Sequence, residues 1–170
     1  NDQAPIGYNP VPEMTFSLAA GLNWKGIDFS ILLQGAARSS IYLQQDIAWD
    51  NFWGNYYEEH IGRWTPETAA TATYPRFTKA ATAAHPNYYK SDYWLKDSKY
   101  LRLKNIQLGY TIPRKLLKKF GVRSLRVYAN AYNLFTWDNV KKVDPESSNN
   151  SNGQFYPQQK VINFGINLNF

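Results

Sequence analysis

The sequence predicts an all-β fold, an antiparallel segment of a transmembrane β-barrel contributing about five strands, and three observations carry that prediction. First, the chain closes on an alternation almost without error: Ile162, Phe164, Ile166, Leu168 and Phe170 face one way, and Asn163, Gly165, Asn167 and Asn169 the other. Successive side chains of a strand point to opposite faces, so one face is wholly apolar and the other polar. The final strand of an outer-membrane barrel commonly ends on such an aromatic residue, whereas a soluble sandwich rarely does. Second, aromatic residues make up 16% of the chain, with 13 Tyr and 6 Trp, a β-rich composition. Third, short and long connections alternate along the chain, the asymmetry of barrels with short periplasmic turns and long outer loops.

The 170 residues fit one domain or part of one, and no linker divides them. No stretch approaches the roughly 18 consecutive apolar residues of a membrane helix, so that class is excluded. A barrel is not, because only about half of each strand faces lipid. The charge of +6, from 19 basic and 13 acidic residues, is spread along the chain except in one short run. It lacks the clustered basic face that nucleic-acid binding needs, so no nucleic-acid partner is expected. Cysteine is absent, which fits an oxidising periplasm and many cytosolic domains alike. The opening Asn1-Asp2-Gln3-Ala4-Pro5 is polar and turn-like rather than a signal peptide, so the segment is expected to be processed or a piece of something longer.

The first strand spans about Met14 to Trp24, with Met14, Phe16, Leu18, Ala20, Leu22 and Trp24 on one face. Lys25-Gly26 supplies a two-residue reversal, and Ile27, Phe29, Ile31 and Leu33 continue the pattern. This second strand is expected to run on through Gly35-Ala36-Ala37-Arg38 toward Tyr42. From about 43 to 93 the alternation vanishes, and a connection that long is functional or disordered. Ile106, Leu108, Tyr110 and Ile112 mark the third strand, while Leu101 and Leu103 upstream fall in the opposite phase, as at a β-bulge or above a bilayer. Pro113 to Gly121 reads as one or two helical turns, with Pro at the start, Gly at the end, and Leu116, Leu117 and Phe120 on one side. Arg114, Lys115, Lys118, Lys119 and Arg123 around them describe a solvated periplasmic rim. Leu125, Val127, Ala129 and Ala131 carry the fourth strand, and a polar loop over about 138–159 leads to the last. Five strands cannot close a barrel, since the smallest have about eight, so the remainder lies outside this segment.

Trp49, Trp53, Tyr56 and Tyr57 in the long loop could offer stacking platforms for sugar rings. The competing reading is that these aromatics form an interfacial girdle or hold the loop together. His60 and His85 lack a ligand spacing, and Glu58, Glu59, Asp46 and Asp50 form no Asp-rich calcium loop, so neither a metal nor a cofactor is expected. No nucleophile elbow or paired acid and base is visible, which argues against an enzyme.

Particular residues carry more than pattern. Ser98-Lys99-Tyr100-Leu101-Arg102-Leu103-Lys104-Asn105-Ile106-Gln107-Leu108-Gly109-Tyr110-Thr111-Ile112-Pro113, then Leu125-Arg126-Val127-Tyr128 leading to Asn133-Leu134-Phe135-Thr136, and the closing Asn163 to Phe170, resemble the C-terminus of SusC/RagA-type TonB-dependent transporters of Bacteroidetes. Upstream, Pro5-Ile6-Gly7-Tyr8, Gly26-Ile27-Asp28-Phe29-Ser30 with Gln34-Gly35-Ala36, and Arg63-Trp64-Thr65-Pro66-Glu67 ahead of Tyr74-Pro75-Arg76 are similar to the same family. The resemblance implies residues 1–170 as the C-terminal strands of a roughly 22-stranded barrel in the outer membrane of a Gram-negative, Bacteroidetes-type bacterium. It implies import of oligosaccharides or peptides with a SusD-like surface lipoprotein, energised by the TonB complex through an N-terminal part that this segment lacks, as it lacks the plug and earlier strands. Loops 43–93 and 138–159 would then be extracellular, and Phe170 would be the terminal signal for barrel assembly. The alternative from another class is a soluble, aromatic-rich β-sandwich that binds glycans.

Overall fold

The computed structural model describes residues 4–52, 54–79, 85–147, 156 and 158–170. Its strands are β1 (Met14–Trp24), β2 (Ile27–Ala37), β3 (Ser40–Tyr42), β4 (Leu95–Asp97), β5 (Tyr100–Thr111), β6 (Ser124–Asp138) and β7 (Val161–Asn169), with one short helix, α1 (Arg114–Leu117). Two units divide the chain. One holds a five-stranded antiparallel sheet in the order β1-β2-β5-β6-β7, open at both edges. Its strands are 11, 11, 12, 15 and 9 residues long, against the roughly 9–11 that cross a bilayer when tilted.

Register carries the apolar rows across every strand. Leu22, Phe29, Leu108, Ala129 and Phe164 are successive partners, as are Trp24, Ile27, Tyr110, Val127 and Ile166. Directly paired residues share a face, so all five strands turn one apolar surface outward. Phe164 is 83% exposed, Ile166 69% and Leu22 62%, so no second layer covers it. A soluble sandwich would bury this face against another sheet.

The phase slip in the third strand is a bulge. β2 pairs Leu32 with Asn105 and Leu33 with Leu103, which leaves Lys104 as an extra residue. On the other side Leu103 faces Phe135 while Asn105 faces Tyr132. The single inserted residue returns Leu101 and Leu103 to the outward face, level with Leu33, Phe135 and Trp137.

The Lys25-Gly26 hairpin has φ of 47° and 87°, the left-handed pair that a two-residue turn with right-handed strand twist requires. A Cβ on Gly26 would lie 2.7 Å from the Thr111 carbonyl oxygen. The β5–β6 connection begins at Pro113, makes α1, continues as a 3-10 turn over Lys118–Phe120 and stops at Gly121, where φ is 69°. One expectation is corrected here: Leu117 is buried at 7% exposure, whereas Leu116 (65%) and Phe120 (76%) stand open. The helix is too short to hold all three on one side, and only Leu117 finds the sheet.

β2 also ends sooner than the sequence predicts. It stops at Ala37, because Arg38 takes φ 54° and turns the chain; Ser40–Tyr42 then pairs with Leu95–Asp97 in a separate two-stranded sheet. That small sheet belongs to the second unit, whose core is Ile41, Leu43, Ala48, Trp49, Tyr74, Tyr88, Trp94 and Val140. The long loop is therefore a folded body with its own apolar centre, held by short 3-10 turns such as Glu58–Gly62.

Candidate functional site

The inward face of the sheet is polar and joined across strands. Asp28 on β2 and Arg126 on β6 are separated by the whole of β5, yet Arg126 Nε donates to Asp28 Oδ1 at 2.8 Å and its terminal nitrogen to Oδ2 at 2.5 Å. Gly109 on β5, the partner of both Asp28 and Tyr128, makes this possible. A Cβ there would lie 2.5 Å from the guanidinium nitrogen and from Oδ1. The Arg126 guanidinium also lies 4.8 Å from the Tyr128 ring centroid, and Tyr128 lies over Gly165 on β7. Further along the same face Arg102 Nε donates to Thr136 Oγ1 at 2.8 Å, and Asn163 Nδ2 to Asn130 Oδ1 at 2.9 Å. Polar side chains thus meet one another where a barrel has its lumen.

In the loop unit the predicted stacking residues divide. Trp49 is 3% exposed and stacks on Tyr88, with centroids 4.6 Å apart at 30°. Tyr56 (57% exposed) and Tyr57 (41%) stand at the surface; the Tyr57 hydroxyl donates to the Asp46 carbonyl, and Tyr56 lies 5.5 Å from the Phe77 ring. Trp53 lies outside the described residues. Phe170 follows β7 and is 75% exposed.

The residue that organises this body is Asp50, weighed in the sequence only as one of several loop carboxylates. It is buried at 1% exposure, accepts hydrogen bonds from the hydroxyls of Tyr74 (3.3 Å) and Tyr88, and accepts the Thr78 N–H at 3.0 Å. Buried charge needs such partners. Burial, reinforced by the Asp50 charge, pushes the phenols of Tyr74 and Tyr88 well above their ordinary range; burial and then Glu59 push Tyr93 up to about 12. His60, 2% exposed, accepts the Tyr57 N–H at Nδ1 (3.1 Å), which leaves Nε2 to donate to the Ala48 carbonyl at 3.3 Å. Among the described residues no group of three acidic or histidine side chains is placed to hold a metal.

Arg63-Trp64-Thr65-Pro66-Glu67 builds a turn. Trp64 N–H donates to the Tyr74 carbonyl (2.9 Å), Thr65 and Thr68 exchange backbone-to-hydroxyl bonds, and the Arg63 guanidinium lies 5.0 Å from the Phe77 ring. Nothing local in the sequence marks Asp50 as the acceptor for Tyr74, Thr78 and Tyr88. The Asp28–Arg126 pair left one signal, the glycine in mid-strand at 109, a mark of close approach.

An open antiparallel sheet with one apolar and one polar face is a segment of a transmembrane β-barrel. Comparison with known proteins agrees. TonB-dependent receptor P26 of Formosa agariphila is 29% identical over 99% of this chain and 18% of its own length, and TonB-dependent receptor SusC of Bacteroides thetaiotaomicron is 25% identical over 97% and 16%. The chain therefore spans less than a fifth of the length of the curated relatives it matches. A chain of the RagAB peptide importer in its open-open state superposes with a TM-score of 0.71 at 23% identity, covering 96% of this chain and 18% of that one. No protein-family model matches the chain. The resemblance to SusC/RagA-type TonB-dependent transporters holds along the whole chain.

Proposed function

We propose that this chain is the C-terminal wall of an outer-membrane importer, the last five strands of a roughly 22-stranded barrel energised through TonB. The observation that carries the reading is the outward apolar face, unbroken over five strands in register and uncovered. Water would not leave a face of that size open, and lipid would. The polar face then lines the lumen against the plug, and the loop unit lies outside the cell beneath a SusD-like lipoprotein. The cargo is an oligosaccharide or a peptide: the similarity to SusC-type receptors and the likeness to the RagAB peptide importer support that class.

Of the four rings singled out in the sequence, Tyr56 and Tyr57 are exposed for stacking on cargo, while Trp49 holds the body that presents them. The test uses the full-length transporter in its native membrane. Uptake of labelled oligosaccharides and peptides should require TonB and the lipoprotein. Tyr56→Ala with Tyr57→Ala should weaken cargo binding about fivefold at normal surface abundance, since a lost aromatic contact costs about 1 kcal/mol. Unchanged binding would return the loop rings to a structural role, and a full-length protein that fractionates as soluble would remove the importer reading.

A further inference from the structure

We propose that the β5–β6 turn, Pro113 to Arg123, is an anchor that docks on the anionic phospholipid headgroups of the leaflet at the short-turn end of the barrel. The inference rests on the membrane-barrel reading and adds to it a specific lipid-binding surface. Three observations support it. From Ser98 to Trp137 the sequence contains no Asp or Glu, and Arg114, Lys115, Lys118, Lys119 and Arg123 fall within this turn. All five are exposed, and among the described residues none of these side chains forms an ion pair. Among the described residues, the acidic side chain at this end of the sheet, Asp28, is taken by Arg126.

Second, the turn presents large apolar side chains beside those cations. Leu116 and Phe120 are 65% and 76% exposed, four residues apart, while Leu117 alone is packed. An apolar pair rimmed by cations is the composition of an interfacial segment, in which the apolar groups enter the acyl boundary and the cations meet phosphates. A merely solvated rim would not need Phe120.

Third, the turn continues the lipid-facing band. The outward row at this end carries Trp24 (59% exposed) and Tyr110 (41%), aromatic residues of the kind that mark a membrane interface. Lys25 lies 4.8 Å from the Trp24 ring centroid, adding a cation at the β1–β2 turn of the same end. β5 leaves that row at Thr111 and β6 rejoins the sheet at Ser124, so the basic turn lies immediately past the aromatic level, at the depth of headgroups. Anionic lipid is the occupant that matches both the apolar pair and the five unpaired cations.

The test uses full-length protein reconstituted in vesicles of phosphatidylethanolamine containing a minor fraction of phosphatidylglycerol. Phosphatidylglycerol retained per protein after detergent extraction is measured by mass spectrometry, and heat-modifiable gel mobility reports the assembled barrel. Wild type should retain phosphatidylglycerol at low salt and release it near 1 M NaCl, where screening shortens to about 3 Å. Joint Arg114→Gln, Lys115→Gln, Lys118→Gln, Lys119→Gln and Arg123→Gln substitution should cut retention at least about fivefold, the loss expected for even one surface charge. Leu116→Gln with Phe120→Gln should lower it as well. A heat-modifiable wild type whose retention ignores salt, or charge variants that assemble and retain as much lipid, would overturn the anchor and leave the barrel standing. A wild type with no heat-modifiable form would instead remove the barrel reading beneath it.

Discussion

Ile166 and Asn167 are neighbours in sequence and belong to opposite solvents. Ile166 lies one residue from the middle of β7, 69% exposed and paired with Val127 in the outward row; Asn167 pairs with Arg126 on the polar face. Ile166→Arg places a guanidinium on the lipid face, where the cost is about 2–4 kcal/mol at the midplane and falls toward the aromatic row that Ile166 shares with Trp24 and Tyr110; a loss of about 1–2 kcal/mol, roughly five- to thirtyfold in the folded-to-unfolded ratio, is expected there. Asn167→Lys places its charge in the polar interior, where the expected penalty is repulsion from Arg126 across the pair, at most about 1 kcal/mol. The pair is compared in the full-length protein by heat-modifiable mobility of membrane extracts and by urea titration in vesicles. Equal losses from both substitutions, or a larger loss from Asn167→Lys, would refute the assignment of faces and with it the barrel.

Gly109→Val should force Asp28 and Arg126 apart, because the added Cβ falls 2.5 Å from both partners; a loss of about 1 kcal/mol or more in urea titration, absent in an Asp28→Asn background, would show that the ion pair is what the glycine protects. Tyr74, Tyr88 and Tyr93 are neutral and raised in the folded loop. Their contribution to stability is therefore intact below the unfolded phenol range near 10 and is lost as pH rises above it, so an ultraviolet tyrosinate titration should show late-ionising phenols that Asp50→Ala releases together with protease resistance of the loop. Deleting Phe170, or residues 166–170, should reduce assembled protein in the outer membrane far more than excising residues 147–152. Equal assembly of the two deletions would end the role proposed for the terminus.

The sheet was legible because its constraint acts residue by residue. An apolar face forces alternation, and a single inserted residue must then show as a phase slip, which is how Leu101 and Leu103 against Ile106 announced the bulge at Lys104. The hairpin at Lys25-Gly26 and the stop at Gly121 were equally visible, since left-handed φ selects few residue types. What stayed hidden depends on contacts distant in sequence. Asp28 and Arg126 are 98 residues apart, and Asp50 meets Tyr88 across 38. Strands of three residues, such as β3 and β4, are too short to show a period. The α1 turn misled for the same reason, because four residues do not define a face.

The aromatic richness of the chain points, read as composition, toward sugar recognition, yet geometry divides the rings among environments. Trp24, Tyr110, Phe135 and Trp137 lie in the outward rows, near the two ends of the strands that carry them, where amphipathic rings match a membrane interface. Trp49, Tyr74, Tyr88 and Trp94 are 3–4% exposed and form the centre of the loop unit, with the polar atoms of Tyr74, Tyr88 and Trp94 bonded to the Ala48 carbonyl, Asp50 and the Asn87 carbonyl. A buried ring cannot stack on cargo, and a ring in the lipid row never meets it. The exposed rings of the loop, Tyr56, Tyr57, Trp64, Tyr89 and Tyr93, are therefore where a search for cargo contacts should begin. Asp50, by fixing Tyr74 and Tyr88 beneath them, is the residue whose loss should blunt that recognition without touching the barrel wall.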